Sequence, residues 1–199
     1  MWCFIVAYHG SCTICDDLKN VGTVISYTTT SHHTGEVVPW INGILSNKCD
    51  NATHYVLLHD HRESWHRGRI SHRVKPEKFR MLASRRQGPW IEKEGELIHN
   101  GISEVGNIVR LAQCLLSLDP TTYRKRYGSQ TCCAEAVVNV QCIKRVPRYI
   151  WTSIRLAVMR EEKSPWGWIL ERLWPAIWEN SCFGGKWPSE QTVKQCMWQ

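Results

Sequence analysis

Several things are scarce in this chain. It has only three Phe and four Met, and no apolar run approaches the ~18 residues that a membrane-spanning helix needs. No internal repeat or low-complexity tract is present, which excludes solenoids and disordered tails. The first residues lack the basic, apolar and small-residue order of a secretory leader, so none is expected. Without that route the Asn51-Ala52-Thr53 acceptor triplet carries no weight, and the ten cysteines are expected to be reduced or metal-bound inside the cell, the host nucleus included. What remains is a 199-residue chain, 43% hydrophobic, carrying eleven Trp and a net charge of +7. That is enough for one large or two small domains built around a core.

The positive charge is concentrated. Nine basic residues, Arg62, Arg67, Arg69, Arg73, Lys75, Lys78, Arg80, Arg85 and Arg86, face only Glu63 and Glu77 in that stretch, leaving the rest of the chain close to neutral. Interleaved with Trp65, Phe79 and Trp90, such a run offers cations to phosphates and flat faces to unpaired bases. It is the clearest partner signal, and single-stranded DNA is the favoured ligand, with a host protein as the other candidate and no membrane.

Local patterning divides the chain near residue 100. Trp2–Tyr8, Thr23–Thr30 and His54–His61 are apolar or β-branched runs that predict strands, with a short helix around Cys12–Asn20. Val37–Leu45 contains Pro39 and Gly43, which predicts an edge or bulged strand. Residues 1–100 therefore read as an α+β region on a mostly antiparallel sheet with flanking helices. Residues 101–199 read as helical. Val105, Ile108, Val109, Ala112, Leu115 and Leu116 share a helical face, Asp119-Pro120 opens a short helix closed by Gly128, and Ile150–Lys163 forms another. Ser164-Pro165 starts a last helix whose Trp166, Ile169, Leu170, Leu173 and Trp174 pack inward until Pro175 stops it. Seven Trp lie from Trp151 onward, and their helical period predicts core packing.

Two constellations could carry chemistry. His59 and His61 flank Asp60 at the end of a predicted strand, where alternation puts both imidazoles on one side, able to share a divalent metal; His54 would face the other way. Cys12-Thr13-Ile14-Cys15 sits between a strand and a helix, the placement in which a thiol pair is used for redox chemistry. The same pair has zinc spacing, with His32, His33, Cys49 or His54 available to complete a tetrahedral site. Gly184-Gly185-Lys186 fails as a phosphate loop, since the earlier glycine and the following Ser or Thr are missing.

The paired histidines on a strand resemble the metal-binding motif of the HUH endonucleases, the rolling-circle initiators that include parvovirus and circovirus Rep proteins. Trp2–Tyr8 resembles the first Rep strand, Val38–Gly43 and Ile91–Gly95 resemble circovirus segments, and Tyr149–Ile154 resembles a stretch near the end of the parvovirus nuclease domain. Trp40, Asp60 and Trp90 depart from the family pattern, making the resemblance that of a degenerate Rep-like domain. It implies metal-dependent nicking of single-stranded DNA, with Mg or Mn on His59 and His61, His54 a weaker ligand, and Tyr123 or Tyr127 as the nucleophile. A zinc-binding viral accessory protein, and a thiol oxidoreductase using Cys12 and Cys15, with Val37-Val38-Pro39 resembling the valine-proline turn of glutaredoxins, are the alternatives.

Overall fold

The computed structural model describes residues 1–29, 36–60, 77–82, 91–93, 96–98, 105–127, 135–160 and 166–197. In chain order the elements are β1 (Trp2–Tyr8), α1 (Cys15–Lys19), β2 (Gly22–Thr28), α2 (Val37–Leu45), β3 (His54–His59), β4 (Phe79–Met81), β5 (Ile91–Lys93) and β6 (Glu96–Ile98). They continue with α3 (Val105–Leu116), α4 (Pro120–Tyr127), β7 (Ala136–Asn139), α5 (Val140–Arg145), α6 (Arg148–Arg160), α7 (Trp166–Cys182) and α8 (Glu190–Met197).

The fold is α+β, but its sheet is mixed rather than mostly antiparallel. Five strands lie in the order β2-β1-β3-β7-β4. β1 runs parallel to β2 and to β3, while β7 is antiparallel to both β3 and β4. The reason is connectivity: a helix returns the chain between β1 and β2 and again between β2 and β3, which forces parallel pairing. Because the two crossovers travel in opposite directions from β1, their helices cover opposite faces. Ile14, Cys15 and Leu18 pack on the Trp2, Phe4, Val6, Val56 and Leu58 face; α2 packs on the face bearing Cys3, Ile5, Tyr55 and Leu57. The central strands are thus apolar on both sides, as the unbroken runs in the sequence require.

Three expectations are corrected. Val37–Leu45 is a helix, not an edge or bulged strand, and the valine-proline resemblance falls with it. Pro39 lies in its first turn, where no intrahelical donor is lost, and Gly43 lets the helix approach the sheet closely, since a Cβ there would lie 2.5 Å from Ile5 Cγ2. Pro175 does not end α7, which runs on to Cys182. Its missing N–H costs one helical bond, but Ala176, Ile177 and Trp178 are fully buried beyond it. Third, residues 101–199 are not purely helical, because β7 inserts between β3 and β4 and joins the two halves in one sheet.

Three of the tryptophans from Trp151 onward are buried as their period predicts, Trp187 is partly buried, and the side chains of Trp166, Trp168 and Trp198 lie outside those described. Trp151, Trp174 and Trp178 are buried together, with Trp174 and Trp178 stacked at 5.5 Å and Trp151 within 5.7 to 6.2 Å of each. The expectation of reduced or metal-bound cysteines is also corrected: eight of the ten pair as Cys3–Cys49, Cys12–Cys15, Cys114–Cys196 and Cys142–Cys182. Cys132 and Cys133 lie outside the described residues. Among the described residues no helix is long and apolar enough to cross a membrane.

Candidate functional site

The parallel strands β2, β1 and β3 all end at one edge of the sheet; β2, the next strand after β1, lies to one side, and β4, the next strand of this sheet after β3, lies to the other. In open α/β sheets this divergence leaves a crevice outside the carboxyl ends of the strands. Polar side chains gather there. The His9 backbone N–H, just past β1, donates to Asp60 Oδ2 at 3.2 Å, and Thr13 Oγ1 donates to the Asp60 carbonyl at 2.6 Å. Thr29, just past β2, donates to the Tyr8 carbonyl and also contacts the His9 ring. Asp60 and Thr29 are buried although charged or polar.

Beside this group four charged residues converge from four separate elements. His59 ends β3, Glu36 precedes α2, Glu135 precedes β7 and Glu171 lies in α7. His59 Nε2 is 3.1 Å from Glu36 Oε2, and the His59 backbone N–H donates to Glu135 Oε1 at 2.9 Å. Trp40 stacks on the His59 ring at 5.5 Å and donates its indole N–H to the Leu58 carbonyl, fixing the ring from behind. Burial works against a charged imidazole, but the Glu36 carboxylate and the charges of Glu135 and Glu171 outweigh it and lift the His59 pKa to about 9. Burial, reinforced by Glu36, pushes Glu171 up to about 7 against the opposing pull of Arg172 and His59. Arg172 lies 3.7 Å from Glu171, and burial lowers its guanidinium to about 10. Near neutral pH the site therefore holds a histidinium and a carboxyl that exchanges its proton.

The residues singled out from sequence fall differently. His59 occupies this site, with its Nε2 directed at Glu36. His54 starts the same strand, at its opposite end and on the opposite face, beside Trp2 at 5.3 Å. His61 lies outside the described residues, and among those described no cluster of His, Cys, Asp or Glu is arranged to hold a metal. Tyr123 is fully buried and donates its hydroxyl to the Arg172 carbonyl at 2.8 Å, an anchor between α4 and α7. Tyr127 closes α4, and its side chain is not among those described. Cys12 and Cys15 are bonded to each other, and Cys49 to Cys3, which in this form withholds their sulfurs from zinc.

Of the basic run, Arg62, Arg67, Arg69, Arg73, Lys75, Arg85 and Arg86 lie outside the described residues. Lys78 sits 3.7 Å from the Phe183 ring centre, Arg80 is exposed on the edge strand β4, and Phe79 packs against the core. The run leaves the described chain at Asp60, at the carboxyl end of β3. Glu36, Glu135, Glu171 and Arg172 escaped the sequence reading, although each is a charged residue set in an apolar stretch, as in Gly35-Glu36-Val37-Val38 and Ala134-Glu135-Ala136-Val137. A charge in such a setting ends up either on the surface or in a paired, buried cluster, and only the fold distinguishes the two.

Comparison with protein-family models, with curated proteins and with solved structures finds no match for this chain.

Proposed function

We propose that the protein is an enzyme that performs acid–base chemistry on a phosphate-bearing, hydroxyl-bearing ligand held at the carboxyl end of the parallel strands. The convergence of His59, Glu36, Glu135 and Glu171 from four elements is the observation that carries this reading. Buried titratable groups brought together at such expense in desolvation are the usual signature of catalysis. Glu171 is the proton acceptor, His59 a fixed cation facing developing negative charge, and Glu36 Oε1, buried and accepting no hydrogen bond from the described residues, an acceptor for a ligand hydroxyl. In this reading the basic run from Arg62 to Arg86 supplies cations for the phosphate, and the general tendency of open α/β sheets to bind ligands outside the carboxyl ends of their parallel strands supports the location.

A second reading keeps nucleic acid as the ligand, and the nine cations between Arg62 and Arg86 favour it. Nicking by a metal-assisted tyrosine draws less support from a protonated His59 and a buried Tyr123. The four disulfides favour an oxidising compartment over the host nucleus, outside hyperthermophiles.

The deciding experiment titrates fluorescent mononucleotides and single-stranded oligonucleotides against the protein at two salt concentrations, with wild type, Glu171→Gln and an Arg67, Arg69, Arg85, Arg86 to Ala variant. Salt-sensitive mononucleotide binding that the Arg variant weakens supports the main reading. Affinity that grows with oligonucleotide length moves the assignment to nucleic acid. Binding of neither phosphate ligand at low salt overturns both.

A further inference from the structure

The four disulfides differ in setting. Cys3–Cys49 and Cys142–Cys182 have both partners buried; in the third, Cys114 is buried and Cys196 partly exposed, so its long span rather than its exposure sets it apart from Cys12–Cys15. Cys12–Cys15 joins the loop after β1 to the first residue of α1, with Cys12 partly exposed and Cys15 7% exposed. The spans differ as well: the three others join residues 46, 82 and 40 positions apart, and Cys12–Cys15 joins residues three apart. A bond that closes a long loop is coupled to the stability of the fold, whereas a short one adds little constraint that the loop lacks. That loop is also held independently of the sulfurs, by Thr13 Oγ1 on the Asp60 carbonyl and by the His9 N–H on Asp60 Oδ2. Opening the bond therefore leaves the β1–α1 junction in place.

We propose that Cys12–Cys15 is a thiol–disulfide exchange site whose co-reactant is a dithiol, a small molecule or a protein, and that the other three disulfides are structural. In the exchange, a donor thiolate attacks the accessible Cys12 Sγ, the Sγ–Sγ bond breaks, and Cys15 leaves as a thiolate. The donor's second thiolate then attacks its own sulfur in the mixed disulfide and releases Cys12. The donor loses two electrons and becomes a disulfide, and the Cys12–Cys15 pair gains them, its two thiolates taking up the two protons that the donor thiols gave up. The exchange needs no catalysis from the acid–base cluster.

The test is graded reduction of the native protein with dithiothreitol, acid quenching, maleimide labelling and peptide mapping by mass spectrometry. The label on Cys12 and Cys15 is expected at a reductant concentration at least about tenfold below that opening the other three bonds, with the far-ultraviolet spectrum unchanged. Cys132 and Cys133 are read from their own peptide. The Cys15→Ser variant leaves the Cys12 thiol free and is expected to form a mixed disulfide with oxidised glutathione faster than Cys12→Ser does through Cys15. Reduction of all four bonds together, or first opening at any of Cys3–Cys49, Cys114–Cys196 and Cys142–Cys182, overturns the proposal. The wild-type series gives that answer whether or not either variant folds.

Discussion

His59, partly buried, and Glu36, buried, form an ion pair at 3.1 Å that fastens the end of β3 to the start of α2. Its pH dependence has a definite sign. A histidine raised from 6.5 to about 9 contributes stability that is complete below pH 6.5 and lost as pH rises through about 9. Glu171, raised from 4.5 to about 7, binds its proton more tightly when folded, so its contribution is complete below 4.5 and lost through about 7. Both effects act in the same direction.

Unfolding stability should therefore fall between pH 4.5 and 9, by at most about 1.4 kcal/mol per pH unit for each group. Denaturant titrations across that range check it. Glu171→Gln should flatten the lower half of the profile, and Glu36→Gln the upper half while lowering the His59 ring pKa seen by NMR. A stability that rises with pH over the whole interval contradicts the arrangement.

Breaking the pair should also cost stability directly. Glu36→Gln leaves a partly buried imidazolium without its counter-charge, a change of about 3 kcal/mol or more where both partners are buried, and somewhat less here because the His59 side chain is 21% exposed. Urea unfolding at pH 6, where His59 is fully charged, measures it.

Tyr123→Phe distinguishes an anchor from a nucleophile. The hydroxyl donates to the Arg172 carbonyl in a fully buried position, so its loss should cost about 1 kcal/mol and leave ligand binding and turnover intact. Loss of turnover with stability unchanged would reinstate tyrosine attack.

Gly43→Ala tests the seat of α2 on the sheet. Alanine ordinarily strengthens a helix, yet here its Cβ meets Ile5 at 2.5 Å, and overpacking of this kind costs about 1 to 3 kcal/mol. Ile5→Val in the same chain removes Cδ1, 2.8 Å from that Cβ, but keeps Cγ2, so it should restore only a small part of the loss.

By itself the sequence determined β1, β2, β3, the amphipathic α3 and the inward tryptophans, because each is written in a local period of apolar residues. It also marked the basic segment and the Cys12–Cys15 spacing. Tertiary structure alone decided that Val37–Leu45 is helical, since a proline in a first turn and a glycine against Ile5 read locally as breakers. It decided that the sheet is mixed, since pairing direction depends on where a crossover lands. The Glu36, His59, Glu135 and Glu171 cluster also belongs to the tertiary structure. Its members lie up to 135 positions apart, and an isolated charge in an apolar stretch shows its partners only when the chain has brought their carboxylates and the ring into the same desolvated volume.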